Sequence, residues 1–379
     1  TEEGFKTVSL VQADTALTYT AGQSGTVAEG DIVWAQGFPY KVAASAATDH
    51  DVVNSNGTPV KFYLELPYAN VEALGADVSG TNDATSIVQA AIDGWRSVFI
   101  PDRLRIDGTL THRKGVTLWG TNKTGPDGAY DQSNFGNGSG FFKDSASTAG
   151  ANLEMAESCA VSGLFFDHQK TNGGTDGIIN FPGGVYNRYC TITNCHIQGK
   201  RTADVSGTNT CYGIKMDAQT GSFVNYFNRF DSIKVHELDV CCWLGDQTNA
   251  NTFTNIQTKE CHIHYELDGT GGEVLENTFS SIGLFSISGA LSPDPIGFKL
   301  TEANKNIFTA FATEMFGRAY DVDASTFEGN IFNGIFTEPV AIFAMWQLYL
   351  TYHLPATFHQ PLRMFLLPLH GWNRISNSR

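Results

Sequence analysis

The sequence has no clean run of 18 apolar residues. A membrane-spanning helix needs about that many, so none is expected. Charge is sparse: 17% of the 379 residues are Asp, Glu, Lys or Arg, and 39 acids against 24 bases give a net charge of −15. That balance argues against nucleic acid or an anionic membrane as partner. It leaves open neutral or cationic groups on a sugar polymer. Cysteine is confined, all seven lying between Cys159 and Cys261. The odd count and the spacing fit neither a zinc module nor a Cys-x-x-Cys redox pair. These residues are expected to be small buried hydrophobes of a protein assembled in a reducing cytosol. No glycine run precedes a helix, which removes a phosphate loop. No acidic loop of calcium-binding type is present, and no cofactor or metal is expected. No signal-peptide pattern opens the chain at "TEEGF".

Repetition is what the sequence does have. "NRFDSI" begins at Asn228, "NTFTNI" at Asn251, "NTFSSI" at Asn277, "NIFTAF" at Asn306 and "NIFNGI" at Asn330, with gaps of 23, 26, 29 and 24 residues. A fainter copy, "NRYCTI", begins at Asn187, 41 residues before Asn228. Periods of this size mark a repeat architecture. Apolar residues after each Asn step by two, three and two, as in Ile233, Val235, Leu238 and Val240. That spacing makes two short strands with a bend between them, not a helix. A third strand precedes each Asn, in "GIKMDA", "CCWLGD", "YELDG", "GFKLTE" and "AYDVDA". Stacked repeats of three short strands bury an apolar column that no single repeat buries alone. The expected fold is all-β: a right-handed parallel β-helix of about ten coils. The recurring Asn suits a left-handed corner and an amide ladder. The Phe two residues later is expected to stack on its copies about 4.8 Å away.

Four segments are expected. Residues 1–66 form a small N-terminal β module, with strands in "DIVWAQGFPYKVAAS" and "VKFYLEL" separated by the polar turn "ATDHDVVNSNGTP". Residues 67–120 hold a capping α-helix, with Asn82 or Asp83 as N-cap, Gly94 as its end and the first strands after it. Residues 121–342 are the β-helix with surface loops at 121–147, 167–176 and 199–210. Residues 343–379 form an atypical tail with no Asp, Glu or Lys. A foreign or out-of-frame terminus, or a surface that binds a membrane or partner, would each account for it.

The stretch "ALGADVSGTNDATSIVQAAID…SVFIP…GVTLWG" resembles the opening of pectate-lyase-like β-helix proteins. The segment before it is similar to the module that precedes the helix in bacteriophage tailspikes, and the "NTF" coils are similar to tailspike coils. Together these cover about residues 30–340. Arg103 stands where the family usually has Gly, and the tail does not resemble a trimerising end. The resemblance implies a tailspike depolymerase: a homotrimer in the virion tail, attached through its N-terminal side. It would be assembled in the host cytoplasm and would bind and cleave a bacterial surface polysaccharide, capsule or O-antigen. Fold alone does not choose between endo-glycosidic hydrolysis, β-elimination by a lyase, and a receptor-binding spike without catalysis.

Glycoside hydrolysis needs two carboxylates flanking the bond. Glu237 and Glu260 lie nine residues after Asn228 and Asn251, which puts both at one bend in adjacent coils. Asp239 and His262 are expected beside them on the outward side, and Glu314 and Glu338 extend the acidic row. A second candidate pair is Asp167 with Asp217, flanked by His168 and Asp176 on loops. A lyase would need a base and a cation for a uronate, for which Arg188, Lys200, Arg201 and Tyr212 are candidates. Solvated corner residues or contacts between protomers are the structural alternative for these acids.

Overall fold

The computed structural model describes residues 29–338 except 36, 55–59, 122–137, 145–146, 148–149, 169–175, 200–210, 222, 286–294, 315–317 and 323–328. The tail beyond 343 therefore lies outside the described residues, as do Lys200 and Arg201.

From residue 69 onward the chain winds as a parallel β-helix. Each Asn-x-Phe repeat is one coil. Strand Arg229–Asp231 lies under Thr252–Thr254, Lys234–His236 under Gln257–Lys259, and Val240–Leu244 under Ile263–Asp268, all parallel and without slip. The repeat offsets thus set the register. Ile233, Val235, Leu238 and Val240 are all buried, as the two-three-two spacing requires. A fourth, two-residue strand precedes the Asn in some coils, at Asn187–Arg188, Asn225–Tyr226 and Thr248–Asn249.

The Asn ladder forms, but the left-handed residue is the one before it. Phe227, Ala250, Glu276 and Lys305 have φ of 57°, 54°, 57° and 54°. This turns the following Asn side chain inward. Asn251 Oδ1 accepts from the backbone N–H and Nδ2 of Asn228, at 2.9 and 3.0 Å. Asn277 does the same for Asn251, and Asn306 for Asn277. The first of each pair satisfies a backbone N–H that the bend takes out of the sheet, and Nδ2 of Asn251 and Asn277 also donates to the backbone carbonyls of Asn225 and Thr248. Beneath the ladder Phe230, Phe253, Phe279, Phe308 and Phe332 stack at 4.5, 4.8, 4.9 and 4.7 Å, tilted by no more than 9°.

The copy at Asn187 is out of register by three residues. Thr191 pairs with Arg229, so Cys190 occupies the ladder position, and its N–H donates to Asn228 Oδ1 at 2.9 Å. Cys159 fills the same position one coil earlier, and the two Sγ atoms lie 3.7 Å apart. Asn187 instead bonds Asn225 Oδ1 at 3.1 Å in the short sheet.

Cysteine use also differs from expectation. Cys241 and Cys261 form a disulfide between adjacent coils, while Cys159, Cys190, Cys195, Cys211 and Cys242 are free and buried. The small-hydrophobe reading holds for those five and fails for the bonded pair. Spacing cannot reveal a pairing that depends on coil stacking.

The helix Thr85–Gly94 places Val88, Ala91 and Ile92 in the same core as the first coils. Its N-cap is Ala84, not Asn82 or Asp83; Asp83 stands one residue earlier and accepts from Thr85 N–H at 3.0 Å. Before it, Ile32–Ala35, Phe38–Val42, Val60–Leu64 and Val52–Asn54 form an antiparallel sheet in that order. Val52–Asn54 is thus a strand inside the stretch expected to be a turn. Tyr40 Oη donates to Ala73 O at 2.7 Å, tying this sheet to the start of the coils.

Candidate functional site

Glu237 and Glu260 come together as their offsets require. Both stand at the same bend, with φ of 57° and 55°, and Glu237 N–H donates to Lys259 O at 3.1 Å. The corner spans 169–176 and 199–211 in the two preceding coils, shrinks to Glu237–Asp239 and Glu260–His262, lengthens to 286–295 and is three residues again at 315–317. The pair therefore marks a step between long connections. Directly under it, the Cys241–Cys261 disulfide joins the two coils.

A row of side chains leads from this corner along the outer face of the sheet. Asp167, Gln198, His236 and Lys259 are successive register partners. They alternate with the core residues Phe166, Ile197 and Val235, yet Asp167, Gln198 and His236 are themselves 4%, 2% and 3% exposed. Gln198 Nε2 donates to Glu237 Oε2 at 3.2 Å. His236 Nδ1 lies 3.9 Å from Glu237 Oε1. Burial, then Lys259 and Lys234, pushes the His236 pKa down to about 4. Burial with His236 and Lys234 beside it holds His196 well below the usual range. Both rings, 4.6 Å apart, are thus neutral at pH 7 and present polar nitrogens rather than charge. Lys259 Nζ pairs with Glu260 at 3.2 Å.

Asp167 is buried against Arg103, whose guanidinium also covers the Phe142 ring at 4.6 Å. Arg103 therefore has a charge partner 64 residues later. His168, expected on a loop, ends strand Phe165–His168, is buried and bonds Asn152 Oδ1 through Nδ1 at 2.9 Å. Asp176 ends the connection that begins after His168, at the same corner.

Asp217 does not join Asp167. It follows strand Tyr212–Met216 of the second sheet and bonds Lys215 Nζ at 2.6 Å and Asn180 Nδ2 at 3.2 Å. Asp167 belongs to strand Phe165–His168 of the first sheet, near the connection that precedes the second. Asp239, expected to point outward, is buried; its Oδ2 accepts from Cys211 N–H at 2.9 Å, and His262 Nδ1 lies 3.6 Å from Oδ1. The tight bend turns Asp239 toward backbone that the 199–211 connection brings back. Glu314 and Glu338 are register partners of each other, but through Phe285 they continue the Lys259 position rather than the Glu237–Glu260 corner.

Sequence reasoning missed a second row. Asn180, Lys215, Trp243, Glu266 and Lys299 line up on the outer face of the second sheet. Lys215 Nζ sits 5.3 Å from the Tyr212 ring centre and 5.2 Å from that of Trp243. Tyr212 was legible, and the alternation around "YGIKM" and "VCCWL" would have marked Lys215 and Trp243 as outward partners. Arg188 lies elsewhere, on the short third sheet, bonded through Nε to Glu157 at 2.7 Å.

Among the described residues no group of three His, Cys, Asp or Glu side chains is placed to hold a metal ion, and no helix is long and apolar enough to cross a membrane.

The geometry defines a β-solenoid with an acidic corner bounded by long connections. It is similar to the enzymatically active domain of tailspike protein 2 of bacteriophage CBA120, with 15% identity and a TM-score of 0.50 over 82% of this chain and 51% of that one. Full-length tailspike protein 2, from an Escherichia coli O157:H7 bacteriophage, gives 14% identity and a TM-score of 0.48 over 82% and 45%. The tailspike protein gp49 of Acinetobacter baumannii bacteriophage Fri1, a capsular polysaccharide depolymerase, gives 11% and 0.46 over 85% and 70%. At these identities the likeness is one of fold. The chain spans about half the length of the first two. Neither a protein-family model nor a curated protein matches the sequence.

Proposed function

We propose that the chain is the body of a phage tailspike that binds a bacterial surface polysaccharide and cleaves it by endo-glycosidic hydrolysis. The observation that carries this reading is the Glu237–Glu260 corner. Two carboxylates at one bend in adjacent coils supply the pair that glycoside hydrolysis needs. One acid protonates the leaving oxygen. The other attacks the anomeric carbon, and water then releases the sugar from it. Their surroundings differ: Glu237 receives the Gln198 amide, while Glu260 faces Lys259. The longer connections on either side would form the walls of a cleft for a polymer.

The fold shared with the active domain of a tailspike supports the wider reading. In it the spike is a homotrimer, the helix Thr85–Gly94 caps one end of the coils, and the N-terminal sheet lies on the side that joins the virion tail. Asp176 and His262 then border the substrate groove.

One observation favours β-elimination instead. Lys215 between Tyr212 and Trp243 sets a cation beside a phenol, the pairing a lyase needs for a uronate. Incubation with polysaccharides from a strain panel separates the readings. Hydrolysis shortens chains and creates reducing ends without ultraviolet absorbance, a lyase adds absorbance, and a binding spike leaves chain length unchanged.

A further inference from the structure

The third sheet carries aromatic rings at a corner where the backbone disfavours them. Tyr189 and Phe227 have φ of 61° and 57° and are 55% and 53% exposed. Thr191 pairs with Arg229, so the two occupy the same corner in consecutive coils. At that corner other coils have Gly115, Ser158, Ala250, Glu276, Lys305 and Gly329. Left-handed backbone is uncommon for bulky side chains and, where the surroundings hold it, points to function. Neither ring repays this by burial.

The rings instead make a surface. Tyr189 and Phe227 are parallel within 10°, with centres 5.6 Å apart. Tyr186, also exposed, meets Phe223 edge-on at 5.2 Å. Arg188 lies over Tyr186 at 4.8 Å and Tyr189 at 5.7 Å. Glu157 holds it from below and also pairs with Lys114, at 2.5 Å. Arg188, Lys114 and Glu157 together leave one net positive charge beside the rings, on a chain whose net charge is −15.

We propose that Tyr186, Tyr189 and Phe227 form a carbohydrate-binding platform, separate from the Glu237–Glu260 corner, that holds a strand of acidic polysaccharide with Arg188 and Lys114 at its edge. A pyranose ring has an apolar C–H face that matches a flat aromatic ring, and hydroxyls and carboxylates at its rim that match charged and hydrogen-bonding groups. A purely apolar patch would suit a second protein copy. Here cations interleave with the rings, which suits an anionic glycan. The platform sits between the short third-sheet strand and the first sheet, whereas the acids sit between the first and second sheets. It would therefore hold polymer remote from the cut bond, raising local chain concentration without touching the reaction. This inference rests on the polysaccharide reading above.

The test uses the full chain and immobilised acidic capsular polysaccharides from a strain panel, with neutral dextran as control. Tyr189→Asn with Phe227→Asn removes the rings and gives both corners a residue that tolerates the left-handed region, so the fold should hold and melting should not fall. Retention on acidic polymer should weaken by about tenfold. Arg188→Gln should flatten its dependence on salt. Glu237→Gln should remain bound. Variants that bind and cut polymer as the parent does would overturn the platform and leave the tailspike reading standing. A change in particle mass by light scattering in the Asn variant would make the patch a contact between copies and overturn it too. A parent that neither binds nor cuts any polysaccharide of the panel would overturn both readings.

Discussion

Glu237 stands one coil before Glu260, and its N–H donates to the carbonyl of Lys259 at 3.1 Å. The hydrogen bond fixes the two corners in register, and the Cys241–Cys261 disulfide crosses the same two coils. Replacing Cys241 and Cys261 by Ala together should lower stability by about 2–4 kcal/mol, since the bond closes a loop of moderate length. Denaturant unfolding of the double variant measures this. No change in midpoint would mean that the coils need no such tie.

Asp167 is expected to act in stability. Asp167→Asn removes the charge facing the partly buried Arg103, at a cost of about 1–3 kcal/mol. Asp217→Asn, in a pair whose carboxylate is 24% exposed against 5% for Asp167, should cost less, about 1 kcal/mol. Thermal melts of the two variants should separate them in that order.

The Asn ladder gives a third expectation. Asn251→Ala removes the acceptor of two Asn228 donors and the donor to Asn225 O and Asn277 Oδ1. All are buried, and a loss of about 3–5 kcal/mol follows from four broken bonds. Asn251→Asp should cost at least as much, since a buried carboxylate would face the oxygens of Asn225 and Asn277 that now accept from Nδ2.

Low pH should loosen the coils. Burial lowers the pKa of His112 and His236 to about 4 and of His264 to about 3. Unfolded histidine titrates near 6.5, so between about 6.5 and 4 the unfolded chain binds more protons. Stability is then greatest above that window and falls as pH falls through it, by up to about 1.4 kcal/mol per pH unit per histidine. His236→Gln should flatten melting temperature against pH over this range. An unchanged profile would show that these rings are not held neutral.

Much of the coil was legible because one corner repeats chemically. Asn228, Asn251, Asn277 and Asn306 each need the same two backbone partners, so the letter recurs with the geometry. Where Cys159 and Cys190 replace Asn, the signal vanished and the register read from Asn187 slipped by three. The Glu237–Glu260 juxtaposition followed from equal offsets. The burial of Asp167, His168 and Asp239 did not, because it depends on partners such as Arg103, Asn152 and Cys211 from other coils. The same holds for the disulfide. For Trp243 and Lys215 the reason is simpler: alternation marks each as outward, but their alignment in one row shows only once the two strands are paired.

Chain length and reducing ends of a susceptible polysaccharide, followed with the parent, Glu237→Gln and Glu260→Gln, test the central claim most directly. The account predicts that each amide variant loses about a hundredfold or more in turnover while melting and particle mass match the parent. Amide variants that cut at the parent rate would contradict it and remove this corner from the chemistry.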